Sequence, residues 1–290
     1  MLRLLLKSMR PKQWTKNVFV WAALVFDRKL FQPEYLLPTL GAFAIFCLIS
    51  SAVYLINDLV DIEKDRQHPI KKNRPLASGR LSKSAAIVAA IVIIAVCIPA
   101  ALALNVSFGI IIVCYLVLMI AYSFVLKNLV IVDVMTIAAG FVLRVAAGVV
   151  LADVERFSPW LYICMTLLAL FLGFSKRRHE IALLAEDANS HRAILDEYSL
   201  PLLDEMISVV ASSTVIAYSL YTFFAPNVPA NHTMMLTIPF VLYAIFRYLY
   251  LIHIRQEGGS PEEMLLKDRP FFLSLVLFGI SVLAIMYLGI

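Results

Sequence analysis

Stretches of apolar residues long enough to cross a bilayer as helices recur along the whole 290-residue chain. They are read at 14–26, 35–56, 84–104, 106–126, 129–150, 159–174, 202–224, 234–254 and 271–290, nine in all, the first of them short. A hydrocarbon interior offers no partner to an unpaired backbone amide or carbonyl, so only helices and closed barrels span it. No barrel-like alternation of apolar and polar residues runs through these stretches. The expected fold is all-α: a polytopic membrane helical bundle of nine transmembrane helices with loops capping the cytoplasmic end, one integral membrane domain over residues 1–290. Composition agrees, with 61% hydrophobic and 16% charged residues, where soluble domains have about half and about a quarter.

Lys and Arg fall almost wholly on one side. Alternate loops carry five in the N-terminal segment through Lys16, seven in 57–83, Lys127 alone, four in 176–201 and three in 255–269, twenty in all. The opposite loops have Arg28, Lys29 and Arg156. By the positive-inside rule the first set is cytoplasmic, which places a multi-pass protein in the cell inner (plasma) membrane with its polar loops facing the cytoplasm. The opening "MLRLLLKSMRPKQWTKN" has scattered bases and no small-residue cleavage site, and reads as a retained amphipathic segment rather than a signal peptide. The net charge of +5 sits in these loops and suits the headgroups of membrane lipids. No aromatic-interleaved basic module points to nucleic acid. Cys47, Cys97, Cys114 and Cys164 all lie in apolar runs, far apart, and read as inert.

Charge concentrates after the second run, in "NDLVDIEKDRQHPIKKNRPLASGR". Asp58, Asp61 and Asp65 are spaced i, i+3, i+7, and Asn57 lies four before Asp61, so a helix continuing past the membrane would set all four along one stripe. Like charges so placed repel by a few tenths of a kcal/mol per pair, roughly, which is tolerable where a cation offsets them. Oxygen donors without Cys or His at ligand spacing suit Mg²⁺, or Mn²⁺, rather than Zn²⁺. The plainer reading is a solvated loop whose acids cap a helix. Lys71, Lys72, Arg74, Arg80 and Lys83 follow at once; topology alone accounts for bases here, though not for their closeness to the carboxylates. Carboxylates seating a metal beside a fork of cations is an arrangement that binds and expels pyrophosphate.

Further polar residues collect on the same side: Lys12 and Lys16 flanking Trp14, Tyr122 and Lys127 in "YSFVLKN", Lys176, Arg177, Arg178, His179 and Glu180 in "SKRRHE", and "LLKDRP" before the last run. Within the spans, Asp133 and Arg144 are eleven apart and share a helix face. Ionisable residues at membrane depth are paired or functional. A helix running from Leu129 would carry Arg144 roughly 22 Å in, which calls for an irregular start to the span or a deep polar cavity.

With "NDLVDIEKD", of the form N-D-x-x-D-x-x-x-D, and with polar loops after the second and sixth spans, the chain resembles the UbiA superfamily of intramembrane prenyltransferases over essentially its whole length. Within it the chain is most similar to the polyprenyl-phosphate phosphoribosyltransferases, on "RPKQWTKNVFV", "NDLVDIEKDRQHPIKKNRPLASG", "YSFVLKNLVIVDV", "GFVLRVAAG", "KRRHE" and "FRYLYL…LLKDRP". Prenyl-diphosphate users in the superfamily generally carry a second aspartate-rich stretch after span six; here cations stand in its place.

That resemblance implies a Mg²⁺-dependent transfer of 5-phosphoribosyl from 5-phosphoribosyl 1-pyrophosphate to a long polyprenyl phosphate. Pyrophosphate would leave with inversion to a β-linked product, an arabinose precursor for the cell envelope. It implies Asn57 and Asp61 as metal ligands, with Asp58 and Asp65 assisting or binding ribose hydroxyls. Lys12, Tyr54, Lys71, Arg74, Lys127 and Arg144 would contact the phosphates, with Tyr122, Lys176 and Arg177 in support. A homo-oligomer is compatible with such a bundle. Two other readings stand beside it: prenyl transfer from a diphosphate to an aromatic acceptor, which the missing second aspartate stretch disfavours, and a lipid transporter, in which helix-breaking Gly/Pro pairs in mid-span would be expected.

Overall fold

The computed structural model describes residues 1–68, 71–154, 158–184, 197–257 and 261–289. Arg156, and residues 185–196 of the loop after the sixth run, lie outside the described residues. The described residues form helices and turns with no strand. Eight stretches are long and apolar enough to cross a membrane: Pro33–Val60, Lys83–Leu104, Val106–Phe124, Val132–Leu151, Pro159–Ala182, Leu200–Phe224, Thr233–His253 and Arg269–Leu288.

The expected ninth span is corrected. Run 14–26 is a 3₁₀ helix, Pro11–Trp21, passing into a short α-helix, Ala22–Phe26. Lys12, Gln13, Lys16 and Asn17 make it too polar for an ordinary span. The 11-residue 3₁₀ segment is unusually long, since such runs rarely exceed three or four residues. At about 2.0 Å per residue it stretches about 22 Å, further than the same residues would as an α-helix.

The chain divides into two compact units, Met1–Leu24 with Gln32–Thr136 and Leu143–Asp153, and Val25–Phe31 with Ile137–Val142 and Val154–Ile290. The first is built on α1 (Leu2–Ser8), the 3₁₀ helix, α2 (Ala22–Phe26), α3 (Pro33–Val60), α4 (Ile62–Gln67), α5 (Lys83–Leu104), α6 (Val106–Phe124) and the two ends of α7 (Val132–Leu151). Its core gathers Val20, Phe46, Ile49, Phe108, Ile112 and Tyr115 between α3, α5, α6 and the 3₁₀ helix. Ser82 caps α5 by accepting from the amide of Ala85 at 3.2 Å. Asn105 caps α6, accepting from Phe108 at 3.0 Å, and turns the chain between two spans with no loop. Gly148 lets α7 lie on the 3₁₀ backbone: a Cβ there would come within 2.0 Å of the Val20 carbonyl oxygen. The outer face of α5 presents Ile87, Val88, Ile91, Val92 and Val96, all exposed, as a helix facing lipid does.

The second unit packs α8 (Pro159–Leu184) on α9 (Leu200–Phe224), with α10 (Ile238–His253), α11 (Pro261–Lys267) and α12 (Arg269–Leu283) completing it. Tyr248 of α10 sets its ring between Phe171 of α8 and Phe271 of α12, steeply tilted to both, with centroids 5.1 and 5.7 Å away. Each such pair adds about 0.5–1.5 kcal/mol to the area it buries. Arg247 of α10 makes a two-pronged bridge to Asp268 at 3.1 and 2.7 Å, and Asp268 also caps α12 by accepting from the Phe271 amide at 2.8 Å. These bonds hold the Asp268 carboxyl below its ordinary range, the Arg247 hydrogen bond being the largest cause.

Candidate functional site

The acidic stripe is present, with a break in it. α3 ends at Val60, and Asp61 takes φ −93°, ψ 9°, neither helical nor extended, before α4 begins. Backbone hydrogen bonds nonetheless run through the break, from Asp61 to the Asn57 carbonyl at 3.0 Å and from Asp65 to the Asp61 carbonyl at 2.8 Å. Asn57, Asp61 and Asp65 therefore stay in line at the end of the span.

Cations already engage each carboxylate. Asp58, 2% exposed, accepts from Arg10 and, at 3.2 Å, from Nη1 of Arg74. The same Arg74 nitrogen donates to Asp65 at 2.6 Å, so one guanidinium bridges two buried carboxylates. Lys127, 3% exposed, donates from Nζ to Asp61 Oδ1 at 2.6 Å across 66 residues of sequence. Charged hydrogen bonds of this kind are the stronger sort, and their burial limits screening by salt.

Arg10 had entered the sequence reading only as one base among many. It adopts a left-handed conformation, φ 53°, immediately before Pro11, and its guanidinium lies 4.7 Å from the centre of the Tyr54 ring. Positive φ in a non-glycine residue that precedes proline is strained. Here the backbone turns so that the side chain reaches Asp58. A signal was available in "MRPKQW", where the proline fixes the direction of the chain beyond Arg10, but its carboxylate partner lies 48 residues on.

Lys127 sits on the turn joining α6 to α7, and that turn is also irregular. Ile131 takes φ 67°, ψ −45° while Val132 donates back to the Val130 carbonyl at 2.7 Å. This is a γ-turn at a β-branched residue, costing about 1–3 kcal/mol, of the sort retained near functional groups. α7 therefore begins at Val132, three residues later than a helix running from Leu129 would, which still sets Arg144 about 18 Å along it, and Asp133 is fully buried in its first turn.

Arg144, 6% exposed, donates from Nε to Asn17 Oδ1 at 2.7 Å and from Nη2 to the Tyr115 hydroxyl at 2.9 Å, with its guanidinium 4.8 Å from the Tyr115 ring centre. It ties α7 to the 3₁₀ helix and α6. Asn17 and Tyr115 were not singled out by sequence; each was one polar atom in an apolar run. Trp14 donates its indole N–H to Ser51 Oγ at 3.0 Å and pins the 3₁₀ helix to α3.

The other candidates stand on several elements. Lys12 is exposed on the 3₁₀ helix, Tyr122 is half-buried near the end of α6, and Lys71 is half-buried with its amide donating to Nδ1 of His68 at 3.3 Å. Lys176 and Arg177 stand on α8 in the second unit, where Arg177 is buried and pairs with Glu180 one turn on.

Whether the donor set could hold a divalent metal has a clear answer in its chemistry. Asn57, Asp58, Asp61 and Asp65 offer only oxygen, as Mg²⁺ and Mn²⁺ prefer. Among the described residues no three of His, Cys, Asp and Glu are arranged to hold a metal by themselves. An ion of this kind commonly takes one or two protein carboxylates and completes its shell with water and phosphate oxygens.

Known proteins resemble the chain over most of its length. Decaprenyl-phosphate phosphoribosyltransferase of Corynebacterium glutamicum is 32% identical over 277 residues, spanning 91% of this chain and 81% of the relative. The enzyme of the same name from Mycolicibacterium smegmatis is 33% identical over 280 residues, spanning 91% and 86%. Among solved structures, a UbiA homolog from Archaeoglobus fulgidus bound to GPP and Mg²⁺ superposes with a TM-score of 0.75 over 98% of this chain and 99% of that one, at 19% identity. The UbiA prenyltransferase family matches residues 18–276. With the helical membrane fold and the acidic stripe at the end of its first long span, the chain belongs to the UbiA prenyltransferase family.

Proposed function

We propose that the chain is a polyprenyl-phosphate phosphoribosyltransferase, moving 5-phosphoribosyl from 5-phosphoribosyl 1-pyrophosphate to a long-chain, decaprenyl-type phosphate in the membrane. The relatives of that name support it, and one observation in the chain carries it: carboxylates paired with cations at the end of one span, the buried Asp58 and Asp65 on half-buried Arg74, and half-buried Asp61 on the buried Lys127. Both substrates are phosphate esters, so a site for them needs cations to receive the charge and carboxylates to orient either metal or ribose.

An oxygen of the lipid phosphate attacks the anomeric carbon of ribose, the new C–O bond forms as the bond to pyrophosphate breaks, and the anomeric configuration inverts. The nucleophile is already an anion, so no general base is required and catalysis reduces to positioning and neutralisation of the leaving group. Asn57 and Asp61 would hold a Mg²⁺ that neutralises the pyrophosphate, with Mn²⁺ an alternative. Asp58 and Asp65 fix the guanidinium of Arg74, and either carboxylate can accept from ribose hydroxyls. Arg74, Lys71, Lys127 and Lys12 supply positive charge at the same end of the span, in the orientation that turns the stripe to the cytoplasm, where the donor is made.

Purified protein incubated with Mg²⁺, radiolabelled donor and polyprenyl phosphate should place label in lipid. A parallel tube with prenyl diphosphate and 4-hydroxybenzoate should yield no prenylated product. Asp61→Asn and Lys71→Ala should each lower turnover by about 10²–10³-fold, the range seen when one group that stabilises developing charge is removed. Near wild-type turnover in both variants would sink the residue assignments, and transfer only in the second tube would replace the reaction itself.

A further inference from the structure

Away from the carboxylates, at the same end of the first unit, lies an open recess of 530 Å³ lined by Arg3, Leu4, Leu6, Lys7, Pro11 and Arg80. Three of the six are cationic and none is acidic. Leu4 also packs on the core at the end of α3, while Met1, Leu2 and Leu6 are exposed beside the cations. Most arginines of the first unit are engaged by acceptors: Arg10 and Arg74 by Asp58, Arg66 by Glu63, Arg144 by Asn17. Among the described residues, no hydrogen bond or ion pair takes up the guanidinium of Arg3 or the ammonium of Lys7. Arg80 is aimed rather than neutralised, donating to the Asn73 carbonyl at 2.6 Å and to Ser78 Oγ at 3.0 Å, both neutral.

We propose that this recess binds the headgroup phosphate of an anionic phospholipid, such as phosphatidylglycerol, of the surrounding bilayer. Charge complementarity is one reason: three cations facing one volume repel unless an anion joins them. Position is the other. Arg80 lies three residues before α5, a helix apolar enough to span, and α1 packs on α3, another, so the recess stands beside the ends of two spans. There an exposed leucine face beside cations meets acyl chains and headgroups together, the pattern of an interfacial helix. A soluble anion would use the cations and leave Met1, Leu2 and Leu6 in water.

Such a lipid would sit close to the catalytic groups in the chain. Lys7 is three residues before Arg10, which reaches Asp58, and Arg80 is six after Arg74, which bridges Asp58 and Asp65. A bound headgroup therefore steadies both segments whose arginines hold the carboxylates. The inference rests on the membrane orientation proposed above but not on the reaction.

Native mass spectrometry of the full chain released from mixed phosphatidylcholine and phosphatidylglycerol membranes tests it without any turnover. The wild type should retain phosphatidylglycerol in preference to phosphatidylcholine. The Arg3→Gln/Lys7→Gln double variant should retain it more weakly by a factor of roughly 25, about fivefold per cation, from the approximate contribution of each base at an anionic surface. Arg3→Lys with Lys7→Arg should restore retention, which separates the charge from damage to α1. Arg255→Gln, removing an exposed cation of the second unit, should leave it unchanged. Equal loss in Arg255→Gln would reduce the effect to bulk charge and overturn the site. Displacement of the phospholipid by inorganic phosphate or by polyprenyl phosphate at comparable concentration would overturn it in favour of a substrate subsite.

Discussion

At the scale of single residues, Arg74 is the side chain on which the acidic cluster depends most. It serves two carboxylates that are 2% and 5% exposed. Its loss leaves Asp58 with Arg10 alone and takes from Asp65 the cation it pairs with, at a cost of up to about 3–5 kcal/mol, the range for removing one member of a buried ion pair. Arg74→Ala should therefore lower the melting temperature in detergent by several degrees as well as abolishing donor binding. Arg74→Lys should rescue part of the stability, because a single nitrogen, Nη1, meets both carboxylates, and less of the activity, because an ammonium presents no planar fork to a phosphate. A variant that lost activity yet melted at the wild-type temperature would show that Asp58 and Asp65 do not need this arginine when folded. Asp58, Asp61 and Asp65 were legible in the sequence because acids at helical spacing stand out in an apolar chain. Their partners were not: Arg10, Arg74 and Lys127 come from three segments, and only the fold says which base reaches which acid.

At the scale of elements, two glycines separate crowding from propensity. Gly148→Ala would drive a methyl group into the Val20 carbonyl, against backbone that cannot rotate away, whereas a Cβ at Gly279 of α12 meets nothing within 4 Å. The first substitution should destabilise by about 3 kcal/mol or more, at the top of the range for overpacking. The second should be neutral or stabilising by up to about 1 kcal/mol from helix propensity. Thermal melts of the two variants side by side check the order. The Arg247–Asp268 link between α10 and α12 gives the second unit a pH dependence of definite sign. The folded carboxyl is held below its ordinary value of 3.8, so its contribution is fully present above that value and fades as pH falls through the lowered one. Asp268→Asn keeps an oxygen for the Phe271 amide but removes the charge. Melting curves taken from neutral to acid pH should show a shallower acid decline in this variant than in the wild type. Eight spans were legible because apolar length is written directly in the residues. The run at 14–26 was misread as a ninth for the same reason: apolar length does not reveal winding, and Asn17 and Lys16 mark a segment that serves the interior of the unit.

For the molecule as a whole, orientation follows from the bases. Ser78→Cys, in the loop that carries Arg74 and Arg80, should react with an impermeant thiol reagent only in inverted vesicles. Asn231→Cys, between α9 and α10, should react only in right-side-out ones. Labelling of both from one side would break the proposed topology. The family resemblance was legible from long ordered stretches such as "NDLVDIEKDRQHPIKKNRPLASG", because they keep residue type and order together. What lay beyond reading was electrical state, since a sequence shows how many charges are present but not which are already matched. Arg74 and Lys127 are matched, and a linkage follows on the proposed chemistry. A metal ion held by Asp61 would compete with Lys127, and a phosphate would gain that lysine only once it had let go. The two ligands are then heterotropic effectors of each other through a single coupling free energy, each raising the affinity for the other by the same factor. A site wired in this way discriminates by coincidence, holding metal and pyrophosphate ester together and giving either one alone a poor reception.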